Sequence, residues 1–225
     1  MRNYLIILII ILFNNIFSGS FEPENNLTLN YRQIEFSWPQ IPNSDSYQLS
    51  ITDIDTQSSY SLDSQHNILI HTGYELDWGH SYRWIVCGLN NNILTECHDE
   101  KYFTINVLPE SHMPEVLEII SLDNSQVLDG LTVLSGYFNG YSISLGIDEN
   151  ADILWFSKPL HGIRMLKNGN FICMADPRAY EMDLNGNKLF YTPEFDSEGN
   201  SIRFHHDFSK TENNTYFGIL KEYQY

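Results

Sequence analysis

Across residues 27–106, apolar and polar residues trade places at every second position in short runs: "IEFSWPQI", "SYQLSIT", "SYRWIVCGL" and "KYFTINV". That period sends alternate side chains to opposite faces of an extended chain, and with Trp, Tyr, Ile and Val in the runs it marks half-buried strands. No window of the segment has helical periodicity, and turn residues separate the runs. An antiparallel β-sandwich is therefore expected. The chain has the means to build one, since 42% hydrophobic and 14% aromatic residues over 225 positions is the content of a packed core rather than of disorder.

The formal net charge of −17, from 12 Lys and Arg against 29 Asp and Glu, repels phosphate backbones and anionic headgroups, which excludes nucleic acid as a partner. At the N-terminus, "MRNYLIILIIILFNNIFSGS" places Arg2 before an unbroken apolar run over residues 4–13, then polar Asn14 and Asn15, then small Ser18, Gly19 and Ser20. That order reads as a signal peptide over residues 1–20, because an uncleaved anchor would need roughly 20 apolar residues. A secreted or periplasmic protein with no other membrane association is expected. Cysteines pair in such compartments. Cys87 and Cys97 flank "GLNNNILTE", whose Asn-rich centre reads as a hairpin tip, yet spacing alone leaves open whether they bond. Cys173, in "NFICMA", reads as a small buried hydrophobe.

At "FSWPQIPNSDSYQLSI" and "LDWGHSYRWIVCGL" the first segment resembles a fibronectin type III or related immunoglobulin-like module. Trp38 takes the second-strand position and Tyr47 the third, and Leu76, Gly79 and Tyr82 fall in the spacing such modules use before the sixth strand. The resemblance implies a sandwich and says nothing of ligand. "VLPESHMP", residues 107–114, has two prolines and no periodicity and reads as a linker.

From residue 115 the text repeats. His161 stands seven positions before Asn168 and His206 seven before Asn213, an offset of 45, while "IDENADILWF" echoes "MDLNGNKLFY" at an offset of 35 between Asp148 and Asp183. The stretch "TPEFDSEGNS" accounts for the difference and reads as an insertion. Two turn signals per copy, flanked by alternating apolar residues, describe the four-stranded blade of a β-propeller. Residues 115–225 hold two to three blades of an incomplete propeller, so continuation beyond Tyr225 is expected. "DLNGN" lacks the downstream glutamate of a calcium loop and reads as a hairpin turn.

"FHHDF" admits a bland reading, in which His205 and His206 lie on a strand, one turned to the core and one to solvent if the strand is regular. Adjacent strand residues point apart, so no metal site is expected there. A functional reading comes from the segment as a whole. "GLTVLSGYFNGYSISLGIDENADILWF", "RMLKNGNFICMADPRAYEMDLNGNKLFY" and "FHHDFSKTENNTYFGIL" are similar, in that order, to the opening blades of the arylsulfotransferases.

The resemblance implies a secreted propeller enzyme that transfers a sulfuryl group from an aryl sulfate to a phenolic acceptor, without a cofactor. It implies that His206 binds the sulfate in the central channel, with His205 adjacent and Asp207 fixing local geometry. Arg203 is a further anion-binding candidate on chemistry alone. The nucleophilic histidine belongs to a later blade, beyond Tyr225, so the 225-residue chain is expected to be inactive. His161, the repeat partner of His206, reads as a packed histidine. Two departures touch the turns: Ala151 and Asp152 replace a glycine turn, and Glu212, Asn213 and Asn214 replace Pro-Asn-Gly, which puts turn geometry in doubt. The alternative function is a noncatalytic secreted propeller that binds protein or glycan, with the sandwich as spacer or adhesion domain.

Overall fold

Alternation becomes architecture in the computed structural model, which describes residues 19–114, 117, 130–175 and 178–220, the side chains of residues 205, 206 and 220 excepted. All but the last two positions of the expected signal peptide lie outside these residues. The chain divides into two units, Met1–Val107 and Leu108–Tyr225. Among the described residues the only helical element is a 3-10 turn, Glu110–His112.

The first unit runs β1 (Leu27–Leu29), β2 (Ile34–Ser37), β3 (Ser46–Asp53), β4 (Ser59–Ser64), β5 (Ile68–His71), β6 (Ser81–Asn90), β7 (Ile93–Cys97) and β8 (Lys101–Ile105). One sheet has the order β4-β3-β6-β8, with β7 along the same edge of β6 and β1 added parallel to β8. The other pairs β2 with β5, and Glu22 bridges to Ser37. Strands two and five in one sheet and three, four and six to eight in the other is the connectivity of a fibronectin type III-like sandwich.

Every second residue of β3 and β6 is buried, which brings Tyr47, Leu49, Ile51, Tyr82, Trp84 and Val86 into one core with Phe36, Trp38 and Phe103. Phe36 meets Trp84 edge-on at 5.3 Å between ring centroids, a geometry aromatic quadrupoles favour. Trp38 follows β2, Tyr47 lies on β3 and Tyr82 on β6, as the resemblance implied. The Tyr82 hydroxyl accepts the Asp77 N–H at 2.6 Å, the corner contact of such sandwiches. Phe21 also packs on this core, so the folded unit begins before residue 27. Cys87 and Cys97 are partners across β6 and β7 and form a disulfide. The tip between them is Asn91-Asn92, both at positive φ.

The second unit runs β9 (Thr132–Phe138), β10 (Tyr141–Ile147), β11 (Ile153–Ser157), β12 (His161–Met165), β13 (Phe171–Ala175), β14 (Arg178–Met182), β15 (Lys188–Tyr191), β16 (Phe204–Lys210) and β17 (Tyr216–Leu220). β12-β13-β14-β15 is an antiparallel meander, the form of one propeller blade; β9-β10-β11 and β16-β17 are further meanders of three and two strands. The Asp148 turn joins β10 to β11 and the Asp183 turn joins β14 to β15, so the repeat aligns β9–β11 with the second to fourth strands of the full meander. The 45-residue offset likewise aligns β16 and β17 with β12 and β13. Among the described residues these sheets do not close into a ring. The segment expected to be a linker packs with this unit: the His112 ring lies 4.0 Å from that of Tyr141.

One turn geometry recurs five times. At Asp148, Leu166, Asp183, Asp196 and Thr211, the N–H of the first residue donates to the carbonyl four positions on, and the N–H of the fourth residue donates back to the first carbonyl. The fourth residue is left-handed each time: Ala151 (φ 65), Gly169 (82), Gly186 (82), Gly199 (86) and Asn214 (59). This is a type I turn closed by a bulge residue. Side chains brace it, since Asp148 Oδ1 accepts the Asn150 and Asp152 N–H groups, and Asp183 accepts both Asn187 nitrogens. The turn geometry placed in doubt by the loss of glycine is therefore kept, with Ala151 and Asn214 in the glycine's backbone region. "DSEGN" inside the supposed insertion is a fifth copy of the same turn, closed by the Phe195–Ser201 bridge.

Packing between neighbouring meanders repeats as well. Trp155 on β11 lies 5.0 Å from Phe171 on β13, and their repeat equivalents, Phe190 on β15 and Tyr216 on β17, stack at 3.8 Å. Cys173 is buried between strands, as its apolar run implied, and burial pushes its thiol up to about 12.

A left-handed alanine costs backbone energy that glycine does not, so Ala151→Gly is expected to raise stability by about 1 kcal/mol and Gly186→Ala to lower it by a similar amount, measured by denaturant melts. Residues 19–107 expressed alone should melt cooperatively and at a higher temperature than residues 27–106, which lack Phe21 and the Glu22–Ser37 bridge.

Candidate functional site

The His-His-Asp stretch lies on β16, which like β12 opens a meander. Among the described residues each has one strand partner, β12 pairing with β13 and β16 with β17. Both are irregular at the same place in the repeat. The pairing of β12 shifts between His161 and Arg164, where Gly162 takes φ 59, and that of β16 shifts between Phe204 and Phe208. A bulge re-aims the side chains it carries. Strand alternation therefore does not decide which of His205 and His206 faces which side, since that inference needs a regular strand.

Gly218 on β17 admits this irregularity. A Cβ at that position would come within 2.7 Å of the Phe204 ring and 3.0 Å of the Asp207 carbonyl oxygen, so a larger residue would push β17 off the bulged strand.

Asp207 accepts from Arg164 Nη2 at 2.9 Å, a link from β16 back to β12. Arg164 opens one of the stretches that carry the family resemblance, but its distance from Asp207 in the chain hides the pair from sequence reasoning. Arg203 is exposed at the entry to β16, and His161 is exposed on β12 rather than packed. The side chains of His205 and His206 lie outside the described residues. The structure thus brings Asp207 together with a cation that the sequence did not single out.

The far end of β16 is held by a buried carboxylate. Glu181 on β14 is 4% exposed. It accepts from Asn170 Nδ2 at 2.9 Å, Lys210 Nζ at 2.6 Å and the Tyr216 hydroxyl at 2.5 Å. Burial works to raise its pKa, but the hydrogen bonds from Lys210, Tyr216 and Asn170 outweigh burial and hold it below the ordinary carboxylate value. By the repeat, Gly146 stands where Glu181 stands and Phe171 where Tyr216 stands, so the preceding junction is apolar at the same place.

In the first unit, Asp53, Asp77 and His80 each offer a ligand atom within 4.8 Å of the others. Asp53 is already engaged, its Oδ2 with His80 Nδ1 at 2.7 Å and its Oδ1 with the Asp55 and Thr56 N–H groups.

The family model described as arylsulfotransferase (ASST) matches residues 117–225. That segment carries the meanders and the His-His-Asp strand, so the likeness to the arylsulfotransferase family falls on the second unit. No curated protein matches the sequence. Among solved structures, the FN1–FN3 domains of chicken CNTN1 align at 10% identity and a TM-score of 0.33, over 76% of this chain and 59% of that one. The chain thus spans under two thirds of that structure's length. A score so low carries no argument, and the sandwich assignment rests on its own strand order.

Because the folded pKa of Glu181 is depressed, its contribution to stability is present above the unfolded carboxylate value and is lost as pH falls through the folded one. Glu181→Gln should cost on the order of 3 kcal/mol at neutral pH, since it leaves Lys210 beside an uncharged partner. It should also flatten the acid limb of stability, read from urea midpoints between about pH 7 and 3.

Proposed function

We propose that this chain is part of a secreted arylsulfotransferase-like enzyme that moves a sulfuryl group from an aryl sulfate to a phenol, with His206 at the sulfate-binding site. The observation that carries this reading is the family match over residues 117–225, which takes in the His-His-Asp strand beside the Arg164–Asp207 pair.

The chemistry suits these residue types. In the first step an imidazole nitrogen bonds to sulfur as the sulfur–aryloxygen bond breaks, and phenoxide leaves with the electron pair. In the second, the acceptor's phenolic oxygen displaces the imidazole and its proton passes to a base. Negative charge spreads over the nonbridging oxygens in both steps, so fixed cationic and N–H donors that meet those oxygens lower the barrier. His206 and Arg203 supply such donors in this reading, and a histidine of a later blade is the nucleophile. A propeller closes with four to eight blades, and the described residues supply one full meander with parts of two others. The 225 residues alone should therefore not turn over.

The test is transfer from an aryl sulfate to a phenol by the product of the whole reading frame. His206→Ala should lower kcat/KM on the order of a hundredfold or more, the scale of one preorganised charge-stabilising group. Undiminished turnover in that variant would remove His206 from the site. A folded whole product that never transfers would assign the protein to the noncatalytic propellers that bind protein or glycan.

A further inference from the structure

We propose that Arg164 is a substrate-binding residue of this site, gripping the nonbridging oxygens of the aryl sulfate, and that Asp207 is the positioning residue that holds it. The inference rests on the sulfuryl-transfer reading of the same site.

The ion pair has little to do as a stabilising feature. Its side chains are 56% and 43% exposed, and exposed pairs contribute between nothing and about 1 kcal/mol. Its placement is more informative. The pair links β12 to β16, the strands that open successive meanders, and in a propeller one edge strand of every blade lines the central channel. Both strands are bulged within reach of the pair, the local device by which a strand turns a side chain out of its regular face.

The chemistry of the guanidinium completes the case. Asp207 engages Nη2, whereas the group has five N–H donors in a planar fork. A carboxylate on one side fixes the plane of the fork, and the remaining donors match two oxygens of a sulfate monoester. Local cations matter here because the chain carries a net charge of −17, so an anionic donor meets repulsion everywhere except where positive groups gather. Arg164, exposed Arg203 and exposed His161 lie on or beside the two opening strands, and Asp207 is the acid that faces Arg164 there. The Lys167–Glu212 pair also links β12's end to the β16–β17 turn, but it is 95% and 91% exposed at the turn tips and makes a poor site.

The experiment uses the product of the whole reading frame with two probes: inorganic sulfate, by titration calorimetry, and phenyl sulfate, by steady-state kinetics. Arg164→Gln should weaken sulfate at least tenfold and raise KM for phenyl sulfate by a similar factor, the scale of a charge-assisted bidentate contact. Arg164→Lys, which keeps the charge without the fork, should recover part of both. Asp207→Asn should raise KM less than Arg164→Gln does, because the guanidinium remains.

If Arg164→Gln and Asp207→Asn lower the melting temperature alike and leave sulfate affinity and KM unchanged, the pair is only a structural tie and the proposal is overturned. Failure of the unaltered protein to bind sulfate overturns it as well. Should Arg164→Gln not fold, unchanged affinity and KM in Arg164→Lys would overturn it in the same way. Sulfate binding that depends on Arg164 without any transfer would sink the enzymatic reading and keep the anion site. Transfer that is indifferent to Arg164 would do the reverse.

Discussion

Consecutive antiparallel strands are joined most tightly by hairpin turns, and the favoured ones, the primed two-residue turns and the type I turn closed by a bulge, put at least one residue in the left-handed backbone region. In a chain whose described regular structure is almost all antiparallel strand, that constraint recurs at nearly every connection. Asn91 and Asn92 meet it between β6 and β7, and Asn139 and Gly140 between β9 and β10. The five bulged turns of the second unit meet it with glycine three times, asparagine once and alanine once. Because the two hydrogen bonds of the turn set the register of the flanking strands, they also decide which face each side chain takes. The carboxylates of Asp148, Asp183 and Asp196 accept the N–H groups of their own turns, so part of the chain's acidity is structural.

Faces fixed in this way must be covered. In the first unit two sheets cover each other around Trp84, Phe36 and Tyr82. In the second, one meander covers the next through a repeated aromatic pair, Trp155 on Phe171 and then Phe190 on Tyr216. The second junction adds a buried carboxylate, Glu181, that gathers Lys210, Tyr216 and Asn170. A charge so placed is tolerated only with its partners aligned, so it holds β16 in one position relative to β14. The His-His-Asp stretch thus sits on a strand fixed at its far end by Glu181 and linked near its middle to Arg164 by Asp207.

The separation of roles follows from the two units. The sandwich commits Phe36, Trp38, Tyr47, Trp84 and Phe103 to its own core, Tyr82 to that core and the corner contact, and its cysteines to a hairpin disulfide. The family likeness falls on the other unit, where among the described residues the opening strands have one partner each, with exposed His161 and Arg164 on β12 and exposed Arg203 just before β16.

The sequence by itself determined the all-β class, the sandwich with Trp38, Tyr47 and Tyr82 in their places, the Asn-rich hairpin, the burial of Cys173 and the repeat at offsets of 35 and 45. All of these are local, being alternation over a few residues or turn chemistry within five, and local energetics suffices to specify them. Tertiary structure alone decided that Ala151 would take a left-handed backbone, that Cys87 and Cys97 would bond, that His161 would be exposed, that β12 and β16 would bulge, and that Arg164 would meet Asp207 and Glu181 would meet Lys210. The last two contacts depend on how one strand is laid against another distant in the chain, and the others on a backbone geometry that the residue types alone leave open. The energy that settles such contacts, burial of an aromatic pair or alignment of a charge with its partner, exists only once the strands are side by side.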